Sequence, residues 1–148
     1  MTTARTRGVA ALSLAAGVAL AGCQAAAEGT EAESGEAPAV VQEAPDGGPP
    51  RLVLTEQATQ RLGLQTSAVT GAPGDLTVPY SAVIYVAEGG AWVFVELEPR
   101  VYQRAPLSVT AIEGDVVRLG AGPEPGTGVV TVAAPELVGV EAGISGGE

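Results

Sequence analysis

The chain has 148 residues, with seven arginines, no lysine or histidine, and seventeen acids, giving a formal net charge of −10. That balance excludes nucleic acid as a partner, because phosphate binding needs a basic stripe, and it excludes a polybasic membrane patch. With no histidine, one cysteine and one methionine, the chain lacks the ligands for zinc, copper or haem and the parts of a Ser-His-Asp or Cys-His triad.

The chain opens on Arg5 and Arg7, followed by an apolar stretch from Gly8 to Ala21 and then Leu20-Ala21-Gly22-Cys23. The stretch is shorter than the ~20 apolar residues a spanning helix needs. Its small-residue exit fits a secretory signal over residues 1–22. A cysteine at the first mature position is the demand of a lipoprotein signal, in which Cys23 carries diacylglycerol and palmitate-type acyl chains. The plainer reading is an ordinary cleaved signal with an incidental Cys23. Acylation also accounts for a lone cysteine in an exported protein, since no intrachain disulfide can form. All seventeen acids lie beyond the signal, while two of the seven arginines leave with it.

Residues 24–50 hold Ala, Glu, Gly and Pro with no arginine or aromatic residue. Such a segment buries too little apolar surface to offset its ordering entropy. With Cys23 it reads as a disordered acidic linker over 23–50, with a reach of about 30 Å. The alternative is a marginal helix from Ala25 to Glu33.

One small domain is expected over residues 51–141, followed by a flexible tail at 142–148. Leu52 to Leu54 reads as a strand. Thr55 caps a helix over Glu56 to Leu62, Gly63 ends it, and Leu64 to Thr70 is extended. After the turn cluster Gly71 to Asp75 the texture is β. Leu76 to Val86 is broken by Pro79 at an edge or bulge. Ala91 to Val95 is the densest strand signal. Arg100 to Arg104 alternates, and Leu107 to Ile112 and Val116 to Leu119 flank a hairpin turn at Glu113-Gly114-Asp115. Val129 to Val132 follows a Gly/Pro-rich loop, and Pro135 to Val140 has room for one helical turn. The expected fold is mainly β, a small barrel or sandwich of about five to seven short strands with one short helix.

The runs V-P-Y-S-A-V-I-Y (Val78 to Tyr85), A-W-V-F-V (Ala91 to Val95), R-V-Y-Q-R-A-P-L-S-V (Arg100 to Val109), I-E-G-D-V-V-R-L (Ile112 to Leu119) and G-x-x-P-G-T-x-V-V-T (Gly122 to Thr131) resemble the late part of membrane fusion proteins. These are the periplasmic adaptor subunits of RND-type and related efflux pumps (the HlyD-like family). Leu52 to Val69 looks like the stretch that opens some metal-efflux adaptors. The resemblance implies a membrane-proximal β domain. Full adaptors carry a long insert between the two stretches, with a lipoyl-like domain and a helical hairpin, whereas here only Gly71 to Leu76 separates them. The resemblance therefore implies an adaptor reduced to its membrane-proximal module.

Four residues form a candidate partner surface. Trp92 shares a strand face with Phe94, opposite Val93 and Val95. That face is either a docking surface or, the reading preferred here, one of two buried faces in a closed barrel. Arg100, Tyr102 and Arg104 form an alternating stripe expected to be the more exposed one. It is suited to an acidic partner or, the preferred reading, paired across strands with Glu96 or Glu98. Glu113 and Asp115 are explained by turn chemistry, and nothing supports a paired-carboxylate hydrolase. Gly120 to Gly128 lacks the G-K-[ST] ending of a phosphate loop. A calcium site of carboxylates alone has no D-x-D-x-D-G loop to form it.

The expectation is a non-catalytic, lipid-anchored accessory of transmembrane efflux transport, without cofactor or metal. It would sit on the extracytoplasmic face of the cell membrane (periplasmic in a didermal cell) beside an inner-membrane transporter permease. The alternative is a free-standing surface lipoprotein that binds a small ligand or peptide at a strand edge.

Overall fold

A computed structural model describes residues 37–144. In chain order the elements are β1 (Ala39–Gln42), β2 (Arg51–Leu54), α1 (Glu56–Leu62), β3 (Gln65–Ala68), β4 (Thr70–Ala72) and β5 (Asp75–Pro79). A 3-10 turn (Tyr80–Ala82) leads to β6 (Ile84–Tyr85), β7 (Ala91–Glu98), β8 (Val101–Glu113), β9 (Val116–Ala121), β10 (Gly128–Val132) and α2 (Ala134–Glu141). Seven strands run in the order β3-β10-β7-β8-β9-β5-β4, every pair antiparallel, as a nearly closed barrel. The two ends of that order, β3 and β4, are consecutive in the chain. Val69 between them is fully buried, and its backbone bonds Thr127 and Gly126, each at 2.8 Å. Residues 65–72 thus act as one bent strand that closes the wall. Closure removes the exposed edges that an open sheet would leave.

Two cores lie on opposite faces of this wall. Val69, Leu76, Val78, Val93, Val95, Val117, Leu119 and Val129 fill the barrel interior. Outside it, Leu52, Leu54, Phe94, Tyr102 and Val130 are covered by Ala58 of α1 and by Ala134 and Leu137 of α2. Strand β7 separates the two, with Val93 and Val95 pointing in and Phe94 pointing out, all buried. This is why its sequence reads as an unbroken apolar run rather than an alternating one. The preferred expectation of two buried faces holds.

Helix α1 is fixed by local chemistry. Thr55 Oγ1 accepts a hydrogen bond from the Ala58 amide at 3.2 Å. Gly63 takes φ 62°, where its amide and that of Leu64 close the helix on the Gln60 and Thr59 carbonyls. This is the Schellman pattern, and it favours glycine.

Three expectations need correction. The ordered fold begins before residue 51. β1 pairs with β2 from Ala39↔Leu54 to Gln42↔Arg51, and Ala44 is buried. The apolar Ala39-Val40-Val41 run has a partner strand only in the folded state, so composition misplaced this boundary. Residues 24–36 lie outside the described residues. Secondly, α2 is a full helix of eight residues, so two α-helices occur among the described residues. Ala142, Gly143 and Ile144, expected in the tail, still bond its carbonyls, and 145–148 lie outside the described residues. Thirdly, the separate strands expected at 100–104 and 107–112 are one strand of thirteen residues. It bends where its pairing with β9 slips between Ser108 and Ala111. Such slips let one strand turn a barrel corner.

Candidate functional site

The candidate residues Trp92 and Arg104 come together on the outer face of the barrel. In the antiparallel register Phe94 faces Arg104 and Trp92 faces Pro106, so Arg104 and Trp92 lie diagonally across the strand pair. The Arg104 guanidinium stands 5.0 Å from the Trp92 ring centroid, within range of a cation–π attraction. The Trp92 indole donates to the Gly89 carbonyl at 3.2 Å, which fixes the ring over the β6–β7 turn.

Arg104 also meets Glu141, the last residue of α2, with Nε 2.8 Å from Oε2. Both side chains are largely buried, 18% and 10% exposed. A carboxylate at a helix C-terminus faces unfavourable carbonyl dipoles, so Arg104 supplies the charge that lets α2 end there. Burial holds the Glu141 carboxyl above its ordinary value. The attraction of Arg104 opposes this, and Glu88 adds to it. Together with Tyr85, 60% exposed, and Val138, these residues line an open depression of about 460 Å³.

The expected exposed stripe does not exist. Tyr102 is buried, and its hydroxyl donates to Glu96 Oε1 at 3.4 Å. Burial first, and then the Glu96 charge, push its pKa up to about 12. Arg104 is turned inward to α2. Arg100 is not in the strand at all but in the Pro99-Arg100 turn, with φ 68°. The alternation failed because β8 starts at Val101 and its outer face is roofed by helices. The expected pairing of the arginines with Glu96 or Glu98 is not found among the described residues: Glu96 accepts from Tyr102, and the partner of Arg104 is Glu141. Glu141 lies 37 positions downstream, and no periodicity in the sequence connects the two.

Elsewhere, Arg118 bridges Asp75 at 2.9 Å and Glu113 at 3.3 Å, tying β5, β8 and β9 together at an exposed site. Among the described residues no group of three His, Cys, Asp or Glu is placed to hold a metal. No helix among them is long and apolar enough to cross a membrane. Cys23 lies outside the described residues. The cluster of Trp92, Arg104 and Glu141 has the character of a structural clamp beside a depression bordered by Tyr85. Its side chains already satisfy one another.

No family model, no curated protein and no solved structure matches this chain.

Proposed function

We propose that the chain is a non-catalytic accessory of a membrane efflux transporter, anchored by lipid on Cys23 at the extracytoplasmic face of the membrane. The observation that carries this reading is the short separation between L-A-G-C and a barrel domain whose first described residue is Ala37. Fourteen positions separate Cys23 from Ala37. Whatever their conformation, they span at most about 50 Å, so an acylated Cys23 confines the barrel to the membrane surface. Confinement raises its effective concentration toward a membrane partner. Tyr85 on the depression offers an exposed aromatic side chain of the kind interfaces favour, on a base stiffened by Arg104 and Glu141.

Two experiments test the reading. Cys23→Ser should move the protein from the membrane fraction to the soluble one, and retention in the membrane would reject the anchor. A photo-crosslinker at Tyr85 should capture a transporter permease in the native membrane, and capture of no membrane protein would reject the partner. The alternative, a lipoprotein that binds a peptide, draws on one feature. β1 has a partner on one side only, and Val40 and Val41 are exposed on it, the arrangement that strand addition uses.

A further inference from the structure

A second concavity lies away from the Arg104 clamp, between β1, α1 and the end of α2. It has a volume of about 300 Å³, and its lining is mostly carbon, from Val41 of β1, Leu54 of β2, Ala58 and Leu62 of α1, and Val140 of α2. The one charged side chain on it is that of Arg61. Arg61 makes no ion pair among the described residues, unlike Arg104 and Arg118. In a chain with seventeen acids, a groove that gathers no carboxylate from the described residues and presents one guanidinium is complementary to a negative ligand. The position of Arg61 in the last turn of α1 suits the helix dipole, yet that role requires no apolar slot beside it. Small-molecule sites have this build, an apolar wall of ~300–1,000 Å³ with a few polar groups that fix orientation.

From this lining we infer that the groove binds the acyl chain of a single-chain anionic lipid, with the acid head held at Arg61. Leu54 and Ala58 form the buried floor, Leu62 and Val140 the walls, and Val41, 45% exposed, the lip. Pro38 also lines the groove, so the site lies where the segment from Cys23 joins the fold. The inference rests on the membrane-anchored reading for the supply of lipid, but not for the groove or its chemistry.

The test uses the mature chain carrying Cys23→Ser, which has no lipid of its own, titrated with the fluorescent fatty acid cis-parinarate. Saturable enhancement of emission is expected, reversed by dodecanoate or lysophosphatidylglycerol and not by lysophosphatidylcholine. Arg61→Gln should weaken binding about tenfold, the loss of one charge-assisted hydrogen bond, and lower the unliganded melting temperature by no more than the loss of one helix-dipole contact. Val41→Trp, at the exposed lip, should block the groove without touching either core. Absence of saturable binding overturns the inference, as does binding indifferent to both substitutions or equal displacement by lysophosphatidylcholine. Binding that appears only after deletion of residues 144–148 would show that the chain's own end fills the groove, and would also overturn it. Binding by the Cys23→Ser chain but not by the acylated chain would assign the groove to the protein's own lipid instead of an anionic one. A failed titration leaves the membrane-release test of Cys23→Ser unaffected, so the two readings fail separately.

Discussion

Arg104 and Glu141 join the middle of the longest strand to the last residue of the final helix, through a contact of 2.8 Å that solvent barely reaches. The same guanidinium lies over Trp92. One side chain therefore holds together β7, β8 and α2, and the loss of either partner leaves the other charge buried.

The first prediction follows from that asymmetry. Arg104→Ala should cost about 3 kcal/mol in urea unfolding, because breaking a buried pair strands its partner. The paired variant Arg104→Met/Glu141→Leu should lose much less. Trp92 fluorescence should change in every variant that removes the guanidinium. Burial already holds the Glu141 carboxyl above its ordinary value. The stability tied to its protonated form is thus fully present below its unfolded pKa and is lost as pH rises through the folded one. Arg104→Ala should raise the folded pKa further, so its deficit should shrink as pH falls through that raised value and be smallest once pH reaches the ordinary carboxylate range of about 4. A deficit independent of pH would contradict this account.

Tyr102 gives a prediction at the alkaline end. Its pKa is raised from 10.0 to about 12, so the unfolded chain releases this proton first. The stabilisation is complete below pH 10 and falls as pH climbs toward 12, by about 2–3 kcal/mol at the full shift. Tyr102→Phe should remove that slope, which is measurable as the change in unfolding free energy between pH 9 and pH 11. An unchanged slope in the variant would assign the alkaline loss to other groups.

The β4–β5 hairpin supplies a steric test. Gly71 has φ 98°, and a Cβ there would lie 2.2 Å from the Asp75 carbonyl oxygen, whereas a Cβ at Gly74, φ 89°, would meet nothing within 4 Å. Gly74→Ala should cost only the left-handed strain of ~1–2 kcal/mol. Gly71→Ala should cost at least about 2 kcal/mol more, since backbone has to move. Equal midpoints in a urea series would show that the hairpin is looser than drawn.

Arg100 tests the opposite direction. It occupies φ 68° after Pro99, the second corner of a turn of type II character that favours glycine. Its carbonyl accepts the Leu54 amide at 3.0 Å, which holds it in place. Relief of ~1–2 kcal/mol of strain outweighs the ~0.5–1 kcal/mol of entropy that glycine adds to the unfolded chain. Arg100→Gly should therefore raise stability by up to about 1 kcal/mol. A loss in thermal unfolding would mean that the guanidinium makes a stabilising contact.

Much of the fold could be read from local pattern. The cap at Thr55, the stop at Gly63, the hairpin at Gly114 and the apolar run at β7 each depend on neighbours within a few positions, where propensity and turn chemistry act directly. The candidate surface was read less well. Trp92 and Arg104 do converge, but Tyr102 is interior and Arg100 belongs to a turn. Whether an alternating strand shows a residue to water depends on what roofs it, and here the roof is α2, which arrives from the far end of the chain.

The sequence by itself determined the small β domain, its one well-capped helix and its acidic character, because composition and short spacings suffice for these. Only the tertiary structure decided that β1 belongs to the fold and that residues 65–72 close the barrel. It also decided that Arg104 faces Glu141 and that a lone arginine borders an apolar groove. Each of these pairs groups far apart in sequence, and their proximity exists only once burial of two cores has repaid the entropy of bringing them together.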